Sequence, residues 1–155
     1  MAEDCNDKKE PLGHLQMCVD KRFVHRLMEH FEKETGVTQY NYWTHTDAGG
    51  TPKMESSKTS PDYAYSQGAR IMAWCAHGAN CGGYGGEPAG VPDHVIQQEL
   101  EKTFHSKAYQ YPLATHYAFF ITQVEDENGN GNCTYPTVKL GPLKIGTGDW
   151  EEVKS

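Results

Sequence analysis

No run of apolar residues in this 155-residue chain comes near the roughly 18 that a membrane helix needs. The first thirty residues also lack the charged-then-apolar order of a secretory leader. The expectation is a cytoplasmic protein with no membrane partner. A basic stripe is missing too: 14 Lys and Arg stand against 21 Asp and Glu, for a net charge of −7, which argues against nucleic acid. The glycine-rich stretch after Cys81 contains neither G-x-G-x-x-G nor G-K-[ST], so a nucleotide phosphate loop is excluded. There is no C-x-x-C for dithiol redox work. The five cysteines, at 5, 18, 75, 81 and 133, are odd in number and irregular in spacing, which leaves metal or thiolate chemistry rather than a disulfide framework. Large aliphatics are scarce as well. Leu, Ile, Val and Phe make up only about 15% of the chain, below the roughly 20% associated with disorder. Nine Tyr and three Trp restore large buried surfaces, so the reading is one folded domain with a thin core, of a kind that a second subunit helps complete.

What is present has a clear order. Residues 1–13 are polar, carry Pro11 and Gly13, and read as a flexible arm ahead of a single α/β domain over 14–155. Leu15–Val19 reads as a buried strand, and Phe23, Val24, Leu27, Met28 and Phe31 recur at helical spacing before a stop at Gly36. Tyr40–Thr44 reads as a second strand ending in the tight loop Asp47-Ala48-Gly49-Gly50, with a polar loop over 51–59. Ser60-Pro61-Asp62 has the order of a helix cap, a first-turn proline and a first-turn acid, with Gly68 as the end. Ile71–Ala76 is a third strand. Pro92-Asp93 opens a helix with Ile96, Leu100 and Phe104 on one face. Tyr117–Val124 and Thr137–Leu140 are the last strands, separated by Asn-Gly pairs at 128–129 and 130–131 that mark a turn. Alternating strands and helices imply a mostly parallel sheet with helices on both faces, ended by an antiparallel strand.

In such a sheet, ligands bind beyond the carboxyl ends of the strands, where strand order reverses. Strand one runs out at Cys18-Val19-Asp20-Lys21-Arg22 and strand three at His77-Gly78-Ala79-Asn80-Cys81-Gly82-Gly83. If these strands are neighbours, Cys18, His77 and Cys81 meet. Two thiolates and an imidazole are the donor set of a catalytic zinc with an open fourth position.

These residues resemble the β-class carbonic anhydrases. That family carries Cys-x-Asp-x-Arg after its first strand, an Ala-Gly-Gly type of loop after its second, and a His and Cys followed by glycine after its third. Here the counterparts are Cys18 to Arg22, Ala48-Gly49-Gly50, and His77 with Cys81-Gly82-Gly83. The resemblance implies a β-carbonic-anhydrase-like fold and Zn2+ held by Cys18, His77 and Cys81. It also implies Asp20 paired with Arg22 as the catalytic pair, a substrate cleft lined by Gly49, Gly50 and Gly82, and a homodimer or higher oligomer. The activity implied is reversible hydration of carbon dioxide to bicarbonate. The departures are three residues instead of two between His and Cys, and Asp47 where an Asn commonly precedes Ala-Gly-Gly. They keep two alternatives open: a carbonyl sulfide or carbon disulfide hydrolase of the same fold, and a non-catalytic metal-binding relative acting as a binding subunit.

Plainer readings stand beside these. Cys75, inside a strand, reads as core, although it could replace Cys81 if the longer spacing misplaces that thiol. Cys5 and Cys133 read as free thiols. His45 and His94 read as surface histidines, with a proton relay as the alternative. A cysteine hydrolase built on His77 and Cys81 leaves Cys18, Asp20 and Arg22 without a role. Tyr40, Tyr42, Trp43, Tyr109 and Tyr111 are the exposed aromatics expected at a subunit interface.

Overall fold

The computed structural model describes residues 11–84, 90–126, 131–144 and 148–154. A six-stranded sheet has the order β2-β1-β3-β4-β7-β8. Strands β1 (Gly13–Cys18), β2 (Tyr42–Asp47), β3 (Ile71–His77) and β4 (Thr115–Ile121) are parallel. β7 (Thr137–Leu143) and the two-residue β8 (Glu151–Glu152) close the sheet antiparallel, as the sequence implies. β5 (Val124–Glu125) and β6 (Cys133–Thr134) form a small separate hairpin. Of the expected turn between them, residues 127–130 lie outside the described residues, as do residues 1–10 of the expected arm. Gly13, placed in that arm by its polar context, already pairs with Tyr42 and Ile71 as part of β1.

Helices cover both faces. α1 (Val24–Thr35) buries Leu27 and Phe31, which with Phe23 form one stripe against Leu15, Met17, Ala73, Cys75, Phe119 and Ile121. It stops at Gly36, whose positive φ of 77° lets its N–H reach back to the Glu32 carbonyl at 2.9 Å. On the opposite face α3 (Asp93–Gln110) lays Ile96, Leu100 and Phe104 on Met72, Trp74, Ala118 and Leu140. α2 (Thr59–Ser66) packs beside β1 and β2.

Several boundaries move for identifiable reasons. β2 starts at Tyr42 because residues 38–41 form a turn closed by the Asn41 N–H on the Thr38 carbonyl, and it runs on to Asp47 rather than ending at Thr44. β1 ends at Cys18, leaving Val19 57% exposed. β4 begins at Thr115 and ends at Ile121, so Val124 belongs to the hairpin instead. Ser60 does not cap α2. The helix begins one residue earlier without a side-chain cap, and the Ser60 hydroxyl meets His14 Nε2 at 3.0 Å. Thr51–Lys53, expected as open loop, is a turn of 3-10 helix with Thr51 fully buried. Tyr111 is not a surface aromatic: just past the end of α3 it turns inward, stacks on Trp74 at 5.8 Å and donates its hydroxyl to Asp62 at 2.6 Å. Tyr40 and Tyr109 are exposed, whereas Tyr42 and Trp43 are half-buried.

The pairing of β1 with β3 positions the candidate site. β1 and β3 are paired only from Gly13 with Ile71 to Gln16 with Trp74. Beyond that point each keeps its outer partner, β1 as far as Cys18 opposite Asp47 and β3 as far as His77 opposite Ile121. The chain leaves β1 for β2 on one side and returns to β3 on the other, so the split falls where strand order reverses. Thr51 is wedged into the split. Its hydroxyl accepts the Cys75 N–H at 3.0 Å and donates to the Gln16 carbonyl at 3.3 Å, which satisfies ladder groups that the strands no longer satisfy for each other. Thr51→Val keeps the shape and removes those bonds. Urea denaturation of this variant is expected to show a loss of about 1–3 kcal/mol, the cost of leaving a buried backbone group unpaired. An unchanged midpoint would mean that the wedge is only packing.

Candidate metal centre

Cys18 at the end of β1, His77 at the end of β3 and Cys81 four residues later come together at the mouth of the split. Their donor atoms lie within 4.8 Å of one another, all three side chains are buried, and the two sulfurs are 4.0 Å apart. That sulfur separation is close to the roughly 3.8 Å edge of a tetrahedron with metal–sulfur bonds of about 2.3 Å. The His77 ring is set by its neighbours. Nδ1–H donates to the Gly78 carbonyl at 2.6 Å, and the ring lies against Phe23 with centroids 4.5 Å apart. Nε2 is therefore left with its lone pair facing the thiols, and among the described residues this buried atom has no hydrogen-bond partner. A buried unpaired imidazole nitrogen beside two thiols fits zinc by donor chemistry and by number.

The three-residue spacer between His77 and Cys81 is absorbed by backbone conformation. Ala79 and Asn80 both take left-handed φ values, 54° and 64°, and the chain curls back so that Cys81 reaches Cys18. Left-handed conformation disfavours an alanine. Asp93, at the start of α3, holds the curl by accepting the Ala79 N–H at 3.0 Å and the Thr122 hydroxyl at 3.1 Å. Sequence reading took Asp93 only for a helix-start acid.

Charge at the site is polarised. Hydrogen bonding with Cys81 outweighs burial and holds the Cys18 thiol below its ordinary range. The same pairing, with burial, pushes Cys81 up. Asp20 is not among the clustered donors. Arg22 grips it through Nη2 to Oδ2 at 2.8 Å and Nε to Oδ1 at 3.1 Å, and the Arg22 N–H adds a bond of 2.9 Å to Oδ1. Those hydrogen bonds hold the Asp20 carboxyl below its ordinary range, against partial burial. Its Oδ2 faces His77 Nε2 at 3.6 Å, so the carboxylate borders the same space as the donor atoms. Arg22 is itself fixed by the Ala79 carbonyl at 3.0 Å and by Gln123 Oε1 at 3.3 Å; sequence reasoning had no signal for Gln123, which lies 101 residues away.

The glycines divide. Gly50, at φ 68°, sits in the split, where an added Cβ would be 2.7 Å from the Cys75 carbonyl and 3.4 Å from the Cys18 nitrogen. Gly49, at φ 91°, is covered by the Lys53 side chain, which an added Cβ would meet, and has Gly83 at van der Waals distance beyond. Gly82 is exposed with open space where a side chain would go, whereas a Cβ on Gly83 would meet the Gly49 backbone. Cys75 is fully buried and its thiol is pushed up by burial, as befits a core residue; it does not join the donor cluster. Cys133 is a half-buried free thiol, and Cys5 lies outside the described residues. His45 is half-buried and hydrogen-bonded to Gln16 at 3.3 Å, and His94 is exposed on α3.

No family model and no curated protein matches the chain. Among solved structures, the chain is similar to the β-carbonic anhydrase isoform I of the protozoan Trichomonas vaginalis, with 16% identity, 87% of each chain covered and a TM-score of 0.41.

The ligand set is tested by metal content. Cys18→Ser, His77→Ala and Cys81→Ser are each expected to lose most bound zinc by mass spectrometry, whereas Cys75→Ser and Cys133→Ser keep it. Zinc retained in the Cys81 variant and lost in the Cys75 variant would mean that the wrong thiol has been assigned.

Proposed function

We propose that this chain is a zinc-dependent lyase that interconverts carbon dioxide and bicarbonate, with Cys18, His77 and Cys81 as ligands and Asp20 and Arg22 as the catalytic pair. The observation that carries the reading is the convergence of three soft and borderline donors from two diverging strands, with an ionised carboxylate beside them. Zinc bound there would supply a Lewis acid that brings the pKa of water to about 7, so that hydroxide is available at neutral pH.

The chain's own residues supply the rest. Asp20, kept ionised by Arg22, is an acceptor only, so it takes the hydrogen of a hydroxyl group and leaves the oxygen lone pair free for the substrate carbon. The added negative charge of two thiolates makes such a device useful, because it weakens the acidifying effect of the metal. Arg22, tied to Ala79 and Gln123, keeps the carboxylate from swinging into the ligand cluster. Gly49 and Gly50, where backbone passes without side chains, and Gly82 beyond them, are the proposed lining of a cleft sized for a small linear substrate.

Within this reading the chain works as a homodimer or higher oligomer in the cytoplasm, with exposed Tyr40 and Tyr109 among the groups available to an interface. Light scattering across a dilution series is expected to show at least twice the 17.4 kDa chain mass. A fully active species of single-chain mass at every concentration contradicts it.

The activity is tested by stopped-flow hydration of carbon dioxide on zinc-loaded protein. Asp20→Ala is expected to keep most of the zinc and lose activity by about 10–100-fold, the range for groups that orient a metal site. Zinc-loaded protein with no turnover of carbon dioxide would overturn the lyase, and full activity in Asp20→Ala would remove the carboxylate from the mechanism.

A further inference from the structure

The buried polar groups that the metal centre does not use gather around Trp74. His14 and Gln16, both fully buried, stand two residues apart on β1 and so share a face of the sheet. Gln16 is the register partner of Trp74, and the His14 ring lies 5.9 Å from the Trp74 ring. From α3, Lys107 is 1% exposed and holds Nζ 5.2 Å from the same ring. Part of this polar inventory is spoken for: His14 Nε2 meets the Ser60 hydroxyl at 3.0 Å, and Gln16 Oε1 accepts from His45 Nδ1 at 3.3 Å. Three atoms remain. His14 Nδ1, Gln16 Nε2 and Lys107 Nζ are buried and have no hydrogen-bond partner among the described residues.

The tautomer assigned to His14 has the Ser60 hydroxyl donating to Nε2 and the ring hydrogen on Nδ1, which makes all three remaining atoms donors. The nearby acids do not answer them. Glu55 and Asp62 act on Lys107 only through space, Lys58 opposes them, and Asp62 takes the Tyr111 hydroxyl. We propose that His14, Gln16 and Lys107 form a buried site for a small inorganic anion of chloride size, separate from the metal centre.

An anion suits this place better than a water molecule. Water offers two lone pairs to three donors, and its own hydrogens would need acceptors, of which Gln16 Oε1 is already engaged. It also brings no negative charge into contact with the ammonium, which Glu55 and Asp62 reach only through space. A halide accepts from all three without directional demands. The direction of the titration shifts agrees: burial, then His45 and Lys107, push His14 down to about 3, and burial pushes Lys107 down. Burial is the largest cause of both shifts, so a positive charge is poorly solvated here, and Glu55 and Asp62 offset this only in part at Lys107. The site is independent of the proposed lyase activity, although Gln16 is only one pleat repeat from Cys18 along β1.

Bromide is the probe. Zinc-loaded crystals transferred to bromide are expected to show an anomalous peak in contact with Lys107 Nζ, His14 Nδ1 and Gln16 Nε2. In chloride-free buffer at constant ionic strength, the Tm is expected to rise saturably with bromide in the native protein and not in Lys107→Met. A site without anomalous density, or one refined as water, overturns the proposal, as does an equal rise in Lys107→Met. Should that variant not fold, the anomalous map of the native protein decides alone.

Discussion

The parting of β1 and β3 after Gln16 and Trp74 is the constraint on which the rest of this structure depends. Two parallel strands that stayed paired to their ends would bring Cys18 and His77 into ladder positions, with no space between them for a third donor or a substrate. The parting exposes backbone groups that need partners in a buried place, and Thr51 supplies them. Gly50 follows from the same constraint, since the loop after β2 must enter the split against the Cys75 carbonyl, at a φ that favours glycine. Fold and site are one arrangement here: the connection that reverses strand order also brings the wedge.

The second half of the site is held by electrostatics as much as by packing. Asp93 secures the loop that returns Cys81 to Cys18, through backbone and side-chain hydrogen bonds that offset the left-handed turn at Ala79 and Asn80. Arg22 ties that loop to β1, bonding Asp20 on one side and the Ala79 carbonyl on the other. A single guanidinium thus fixes the carboxylate's position and its charge. The order is physically economical. Each group near the donors is held by one farther out, and the outermost supports, Gln123 and Asp93, come from β4's end and α3's start.

The sheet was legible in the sequence because buried strands and amphipathic helices announce themselves by period, and the meeting of Cys18, His77 and Cys81 follows from strand ends at a reversal of order. What was not legible depended on tertiary partners. Ser60-Pro61-Asp62 has a helix-start order, yet a buried His14 claims the serine hydroxyl. Thr51 looks like any loop threonine until the split gives its hydroxyl two backbone partners. Tyr111 sits at a helix end, where sequence gives no direction, and Trp74 draws it inward. The His77–Cys81 spacing was ambiguous because two consecutive left-handed residues, neither of them glycine, are not foreseeable from composition. Lys107, one turn beyond Phe104 on the buried side of α3, escaped notice because lysines are rarely buried without a partner.

The central claim is that β1 and β3 deliver two sulfurs and one imidazole to a single zinc. X-ray absorption at the zinc edge of the loaded protein tests it most directly. The account requires two sulfur neighbours at about 2.3 Å and nitrogen or oxygen neighbours at about 2.0–2.1 Å, four in all. A first shell made only of nitrogen and oxygen, or one with four sulfurs, would contradict it.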